Sequence, residues 1–219
     1  LDALSREAER HAPVLHPRDR YGRDEDWIEY CGAYKEMERI AFEEFGFQAM
    51  TNRAGVMGWP KPMSYFAKYV FQYLFVQAEF GIMCPVSVSD TSAFLLGRYA
   101  DQETYDLYYD RMVSQDPARF LSGAQFMTEK AGGSDVGGIE LTAVNEGGEW
   151  RLYGEKWFCS HTDGDIALLL ARPEGAPAGS RGLALFALPR VCPDGTRNRY
   201  RIARLKDKMG TKSMASGEI

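Results

Sequence analysis

Cysteine and histidine are scarce in this chain: four cysteines (Cys31, Cys84, Cys159, Cys192) and three histidines (His11, His16, His161) in 219 residues. The cysteines are scattered, form no C-x-x-C pair and have no histidine cluster beside them. That argues against a disulfide framework and a zinc centre, and leaves reduced thiols in a reducing compartment. Long apolar runs are missing too. None approaches the ~18 residues of a membrane span, and the richest, 69–82, is interrupted by Gln72, Gln77 and Glu79. No basic n-region followed by an apolar stretch opens the chain, so no signal peptide is visible. A cytoplasmic location is expected, with the mitochondrion left open, and no membrane partner. Two phosphate-binding fingerprints are also absent, G-x-x-x-x-G-K-[ST] and a G-x-G-x-x-G opening a helix. The chain begins at Leu1 rather than at a methionine and stops at Ile219 just after a strand-like run. It reads as a piece of something longer.

What is present is the material of a folded core, 45% hydrophobic and 13% aromatic residues. Lys plus Arg number 26 against 31 Asp plus Glu, a formal charge of -5. A net acidic chain is a poor partner for phosphate backbones, so nucleic acid is not the expected ligand of this piece.

The periodicity of apolar residues changes near residue 117, which divides the chain into 1–117 and 118–219. Before it, intervals of three and four residues predict helices. One is expected over 26–45, stopped by Gly46, and a second, more apolar one over 63–80, central to a bundle. Two shorter helices are expected over 89–99 and 101–113, the latter capped by Asp101. The Gly- and Pro-rich 51–62 should be a loop. After residue 117 come short runs of β-formers at 119–128, 139–145, 150–153, 156–160, 166–172, 183–189 and 200–205, separated by Gly, Pro and Asp turns. Glu146-Gly-Gly-Glu149 looks like a hairpin turn. The expectation is an α+β chain: an all-α N-terminal domain followed by an antiparallel β-barrel or sandwich.

The most unusual local sequence is Gln125-Phe-Met-Thr-Glu-Lys-Ala-Gly-Gly-Ser-Asp135. A strand, a hydroxyl, a glycine pair and a second hydroxyl follow one another. Glycines allow close approach and unusual φ, and successive free N–H groups in a tight turn make a small anion nest. A Gly-Gly-Ser turn is also a common plain hairpin connection, and the residues alone leave both readings open.

The run Met127-Thr-Glu-Lys-Ala-Gly-Gly-Ser-Asp-Val136 resembles the flavin signature of the acyl-CoA dehydrogenase family, T-E-x-x-x-G-S-D. Downstream, Leu152-Tyr-Gly-Glu-Lys-Trp-Phe-Cys-Ser160 resembles that family's second flavin segment. Gly182-Leu183, Pro189-Arg190 and Arg204-Leu-Lys-Asp-Lys-Met-Gly-Thr-Lys-Ser-Met-Ala-Ser216 follow in family order. The helical Gln77-Ala-Glu-Phe-Gly-Ile-Met-Cys-Pro85 and, more faintly, Pro13-Val-Leu-His-Pro17 place the likeness nearest the adaptive-response, AidB-like branch. The 23–27 region is shorter than that branch's pattern, which points to a divergent relative.

The resemblance implies FAD as cofactor and an acyl-CoA thioester as substrate. By position, it implies that Thr128 reaches flavin N5 and the carbonyl edge, and that Gln125, Phe126 and Met127 line the ring and the acyl channel. Gly133 and Ser134 fall near the pyrophosphate and thioester, and Phe158 where a ring stacks on the flavin. Cys159 falls beside it and Ser160 where a hydroxyl meets N5 or the carbonyl. Thr128, Ser134 and Ser160 are thereby also expected at the substrate. Taken singly, each has an ordinary reading as a strand hydroxyl or core residue. Met63, Phe66, Phe71, Met83 and Pro85 are apolar candidates for the helical wall of the acyl pocket.

In the family the catalytic base is a glutamate of a C-terminal four-helix domain, which this chain lacks, so no catalytic residue is expected here. A homotetramer is implied by the same resemblance. Three functions remain open: an acyl-CoA dehydrogenase; an AidB-like flavoprotein that binds DNA during alkylation stress through the missing C-terminal region; or a scaffold of the same fold without flavin.

Overall fold

The computed structural model describes residues 1–219. The first half holds five α-helices and a small hairpin: α1 (Asp2–Arg10), β1 (Val14–Arg18), β2 (Asp24–Glu29), α2 (Gly32–Arg39), α3 (Tyr65–Val76), α4 (Met83–Tyr99) and α5 (Gln102–Met112). Its core is sulfur- and aromatic-rich. Tyr34, Met37, Phe42, Phe47, Met50, Phe75 and Ile82 are buried together, and the Phe47 and Phe75 rings meet edge to face at 5.3 Å.

The helix expected over 26–45 starts only at Gly32. Residues Asp24–Glu29, which overlap its expected start, pair instead with Val14–Arg18, Ile28 opposite Leu15 and Trp27 opposite His16. Asp26 and Ile28 face inward in the alternation of a strand, so an all-α first half needs correcting. After Arg39 the helix widens into a π-turn at Ile40–Phe45, and it stops at Gly46, which takes the left-handed conformation (φ +63°).

Helix α3 has the expected place but not the expected role. Ser64 caps it by accepting from the Ala67 N–H at 3.2 Å, yet only Lys68 and Phe75 of its residues are buried. Phe66 is 81% exposed and Tyr73 66%. It lies on the outside of the bundle, not at its centre. The Lys68 ammonium is buried beneath it, paired with Asp90 of α4. Helix α4 begins six residues before the expected start, with Pro85 accommodated in its first turn, where a missing N–H costs nothing. Asp101 caps α5 as expected, accepting from the Thr104 N–H at 2.8 Å.

The second half carries β3 (Gly123–Phe126), β4 (Thr142–Glu146), β5 (Glu149–Tyr153), β6 (Cys159–Ser160), β7 (Ile166–Pro173), β8 (Ala184–Pro189), β9 (Arg204–Leu205) and β10 (Ser216–Glu218). They form a five-stranded sheet around β7 and a three-stranded sheet in the order β6-β10-β9. The β4–β5 hairpin turns at the expected Glu146–Glu149 pair. The α+β class stands, but neither a closed barrel nor a wholly antiparallel sheet forms: β7 is parallel to β3 and to β4 and antiparallel to β8. Its Ile-Ala-Leu-Leu start is buried without alternation, as a strand covered on both faces requires.

The two halves are stitched closely. Gly123 of β3 donates its N–H to Ser89 Oγ of α4 at 2.9 Å. A Cβ on Gly123 would stand 2.9 Å from the Ser89 Cα, so no larger residue fits. His161 Nδ1 lies 2.9 Å from the Gly123 carbonyl and must be the donor. The β1–β2 hairpin, though early in sequence, reaches the second half: the wholly buried Asp26 carboxylate meets Arg197 Nη2 at 2.6 Å, Arg201 Nε at 3.1 Å and the Ile202 N–H at 3.1 Å.

Candidate functional site

Strand β3 delivers the first segment. Gln125 is half-buried and donates to Thr91 Oγ of α4 at 2.8 Å, while Phe126 is buried in the β-core. Met127 and Thr128 follow, both half-buried. The Thr128 carbonyl accepts from the Trp157 N–H at 2.8 Å, which docks the second segment on the first. The loop then returns: a Cβ at Gly133 would stand 2.8 Å from Thr128 Oγ, so only glycine lets the turn lie on that hydroxyl. The N–H groups of Thr128, Gly133, Ser134 and Asp135 meet no acceptor within the chain, and Ser134 is exposed. Consecutive free amides beside a serine hydroxyl are the donors from which an anion nest is built.

A buried ion pair sets the height of this turn. Lys156 Nζ lies 2.7 Å from Glu129 Oε1, the two side chains 1% and 5% exposed. Ionised groups cost several kcal/mol each to bury unless their remaining bonding capacity is met. Here Glu129 also accepts from the amides of Glu140 (2.6 Å) and Leu141 (3.2 Å), and Lys156 donates to the Met127 carbonyl (3.3 Å). The pair therefore ties Met127 and Thr128 to the segment that carries Trp157, Phe158 and Ser160.

In that second segment Phe158 has a left-handed backbone (φ +59°) and a half-exposed ring. A bulky side chain in that region is strained by about 1–2 kcal/mol, and the strain leaves an apolar ring facing outward. Cys159 points the other way. It is fully buried in the β-core, and burial pushes its thiol up to about 12. The side chains of Phe126 and Cys159, two of the residues expected at the flavin, are both packed in the β-core. Ser160 is half-buried, with its Oγ 3.0 Å from Ser216 Oγ. Cys84, from the first turn of α4, lies against it. Burial raises the Cys84 thiol above its ordinary range, with Ser160 and Lys208 acting in the opposite direction.

The third segment is the loop and strands from Arg204 onward. Lys206 Nζ sits 3.2 Å from the centre of the Trp157 ring and 3.2 Å from Glu218 Oε1. With Phe158, Lys208, Met209 and Thr211 these side chains line an open cavity of about 720 Å³. Reasoning from sequence assigned no role to Trp157, Lys206, Lys208 or Ser216. The ordered motifs contain them, but their meeting depends on the β6–β10–β9 pairing, which no local pattern announces. Of the expected residues, Met127, Thr128 and Gly133 are linked to the segment of Phe158 and Ser160 by the Trp157 N–H bond to the Thr128 carbonyl and the Lys156 bond to the Met127 carbonyl, and Ser134 is exposed on the same turn as Gly133. Among the helical candidates, Met63, Met83 and Pro85 are buried, Phe71 is half-buried and Phe66 stands in solvent.

Comparison with known proteins agrees with these motifs. Residues 1–116 match the model of the adaptive response protein AidB N-terminal domain, and residues 124–219 that of the acyl-CoA dehydrogenase middle domain. The chain is 33% identical to acyl-CoA dehydrogenase family member 11 of Caenorhabditis elegans over 100% of its own length and 36% of the relative's. It is also 33% identical to the putative acyl-CoA dehydrogenase AidB of Escherichia coli, over 99% of its length and 40% of the relative's. The crystal structure of C. elegans ACDH-11 in complex with C11-CoA superposes with a TM-score of 0.81 at 32% identity, covering 99% of this chain and 37% of that one. The chain thus spans about two fifths of the length of these relatives. Matched along both halves, it belongs to the acyl-CoA dehydrogenase family, in its AidB-like branch.

Proposed function

We propose that this chain forms the flavin-facing wall of an FAD-dependent acyl-CoA dehydrogenase, and that the whole protein oxidises an acyl-CoA thioester between its α and β carbons. The observation that carries the reading is the Thr128–Gly133 turn: a close approach that only glycine permits, edged by free amides and bonded through the Thr128 carbonyl to the Trp157 N–H of the segment that carries the half-exposed Phe158 ring. Those are the donors and the apolar plane that a phosphate-bearing isoalloxazine cofactor requires. When bound, FAD supplies the hydride acceptor.

The chain's own residues bind and orient. Thr128 and Ser160 offer neutral hydroxyl donors to the ring edge, where fixed donors favour charge without a buried counter-ion. Gly133 and Ser134 offer amides and a hydroxyl to the anionic part of the cofactor, and Ser134 to the thioester. Phe158 covers the ring face and excludes water from it. Gln125 and Met127 border the acyl channel, with Gln125 held by Thr91. The similarity to ACDH-11, solved with C11-CoA, supports an acyl-CoA as substrate. The proton abstracted from the α carbon needs a base that none of these residues provides.

The test is an absorbance spectrum of the protein in its natural length, from the near ultraviolet through the blue, before and after adding a panel of acyl-CoAs. Flavin bands that bleach with a thioester are expected; absence of flavin overturns the reading. A second reading is favoured by the match of residues 1–116 to the AidB N-terminal domain: a flavoprotein of DNA-alkylation response with little turnover. Flavin bands that no thioester bleaches, together with salt-sensitive DNA binding, would select it.

A further inference from the structure

Behind Ser160 lies a chain of polar groups that the proposed function does not use. Ser160 Oγ is 3.0 Å from Ser216 Oγ across the β6–β10 pairing. Ser216 Oγ is in turn 3.2 Å from Lys208 Nζ. The Lys208 ammonium also donates to the Met214 carbonyl at 2.7 Å and stands 3.8 Å from the Met214 sulfur. No carboxylate lies within ion-pair distance of it, in contrast to Lys206, which pairs with Glu218. Burial pushes Lys208 below the ordinary lysine range, with Cys84 and Glu9 acting in the opposite direction. A half-buried cation without a counter-ion is costly, and its hydrogen bonds here run to the back of the candidate site.

The donor inventory gives this chain a direction. An ammonium has three protons and no acceptor, so Ser216 Oγ must accept from Lys208. The Ser216 proton is then free to go to Ser160 Oγ or, more weakly, to the Met214 sulfur 3.6 Å away. Oxygen is the stronger acceptor, so Ser160 Oγ accepts from Ser216 and keeps its own proton to donate. Two outlets remain for that proton: the Cys84 sulfur, a weak acceptor, and whatever occupies the open side of Ser160.

We propose that Lys208 is a positioning residue that, through Ser216, fixes the Ser160 hydroxyl as a donor toward the bound cofactor and places a positive charge behind it. The inference rests on the flavin reading above. It concerns Lys208 and Ser216, neither of which that reading needs. A role confined to fastening the loop at Met214 would affect folding only; a role through Ser216 must be felt at the flavin edge, and of the two ring positions expected opposite Ser160, N5 or the carbonyl, the inference commits to N5.

The experiment loads the protein in its natural length with FAD labelled with nitrogen-15 at N5. It compares the wild type with Lys208→Met, Ser216→Ala, the double variant and Lys208→Arg. With a donated hydrogen bond lost, the N5 resonance is expected to move downfield and the midpoint potential to fall in both single variants. FAD binding should weaken about threefold to tenfold, the worth of one hydrogen bond. The double variant should add nothing to either single one, because the two residues act in series. Lys208→Arg, also a pure donor, should stay near the wild type. An N5 resonance and FAD affinity unchanged in Lys208→Met, or effects that sum in the double variant, overturn the inference while the flavin reading stands. If Lys208→Met fails to fold, an unshifted N5 resonance in Ser216→Ala overturns it instead. A wild-type protein that takes up no FAD sinks the flavin reading and this inference together.

Discussion

At the scale of single residues, Phe158 separates stability from function. Its left-handed backbone (φ +59°) is of a kind that asparagine tolerates and phenylalanine does not. The ring, half-exposed, contributes little to the core. Phe158→Asn is therefore expected to keep the melting temperature or raise it, by up to about 1 kcal/mol of relieved strain, while weakening FAD binding through loss of the apolar plane. Thermal unfolding of the apoprotein and a flavin titration check the two halves. A variant that loses stability while binding FAD as before would make Phe158 a core residue and nothing more. Sequence exposed some residues of this site and hid others for a simple reason. Thr128, Gly133, Ser134, Phe158 and Ser160 sit in ordered motifs whose chemistry shows in one dimension. Cys159 sits in the same motif, but strand alternation turns every second side chain to the other face, and its thiol faces the core. Lys208 and Ser216 are eight residues apart and become partners only when β10 enters between β6 and β9.

At the scale of elements, the β1–β2 hairpin shows how a long-range partner can overrule local periodicity. Trp27, Ile28 and Tyr30 sit at helical intervals from Tyr34 and Met37, which is why residues 26–45 read as one helix. The deciding residue is Asp26. Its carboxylate is wholly buried in the folded chain, and its partners Arg197 and Arg201 are 171 and 175 positions away. No window of sequence contains that pairing. Burial alone would raise the Asp26 pKa, but the hydrogen bonds from Arg197, Arg201 and the Ile202 amide outweigh it and hold the carboxyl below its ordinary range. The folded state thus binds this proton less readily than the unfolded chain, whose aspartates titrate near ~3.9. The stabilisation is whole above that value and is lost as pH falls through the lower, folded pKa. Asp26→Asn is expected to cost about 1–3 kcal/mol near neutral pH and to flatten the acid limb of the stability profile. Urea unfolding across pH 2–7 (, roughly the window where this linkage acts) measures both. A variant whose acid limb keeps the wild-type slope would show that other carboxylates, not Asp26, govern it.

At the scale of the whole molecule, the order of the fold was legible and the arrangement of its layers was not. The change from intervals of three and four to short β-runs marked the two halves, and Gly46, Asp101 and Glu146–Glu149 took their expected places as stop, cap and turn. The parallel pairing of β3 with β7 was hidden, since residues 123–126 and 166–169 meet across a long excursion. The site of α3 was hidden for another reason: an apolar helix reads as central whether its cover comes from this chain or from elsewhere. In the structure Phe66, Tyr69, Val70, Tyr73 and Leu74 are exposed along it, at the spacing of one helical face. A row of that kind exceeds the scattered apolar exposure normal for a monomer and drives association when left open. The 219-residue chain alone is therefore expected to self-associate with rising concentration. Phe66→Glu together with Tyr73→Glu should suppress this without lowering the melting temperature, because neither ring packs in the core. Sedimentation velocity over a concentration series reads the association and thermal unfolding reads the cost. If the double variant associates as the wild type does, the sticky surface lies elsewhere. If it unfolds at markedly lower temperature, the α3 face is packed in solution against the chain's own residues.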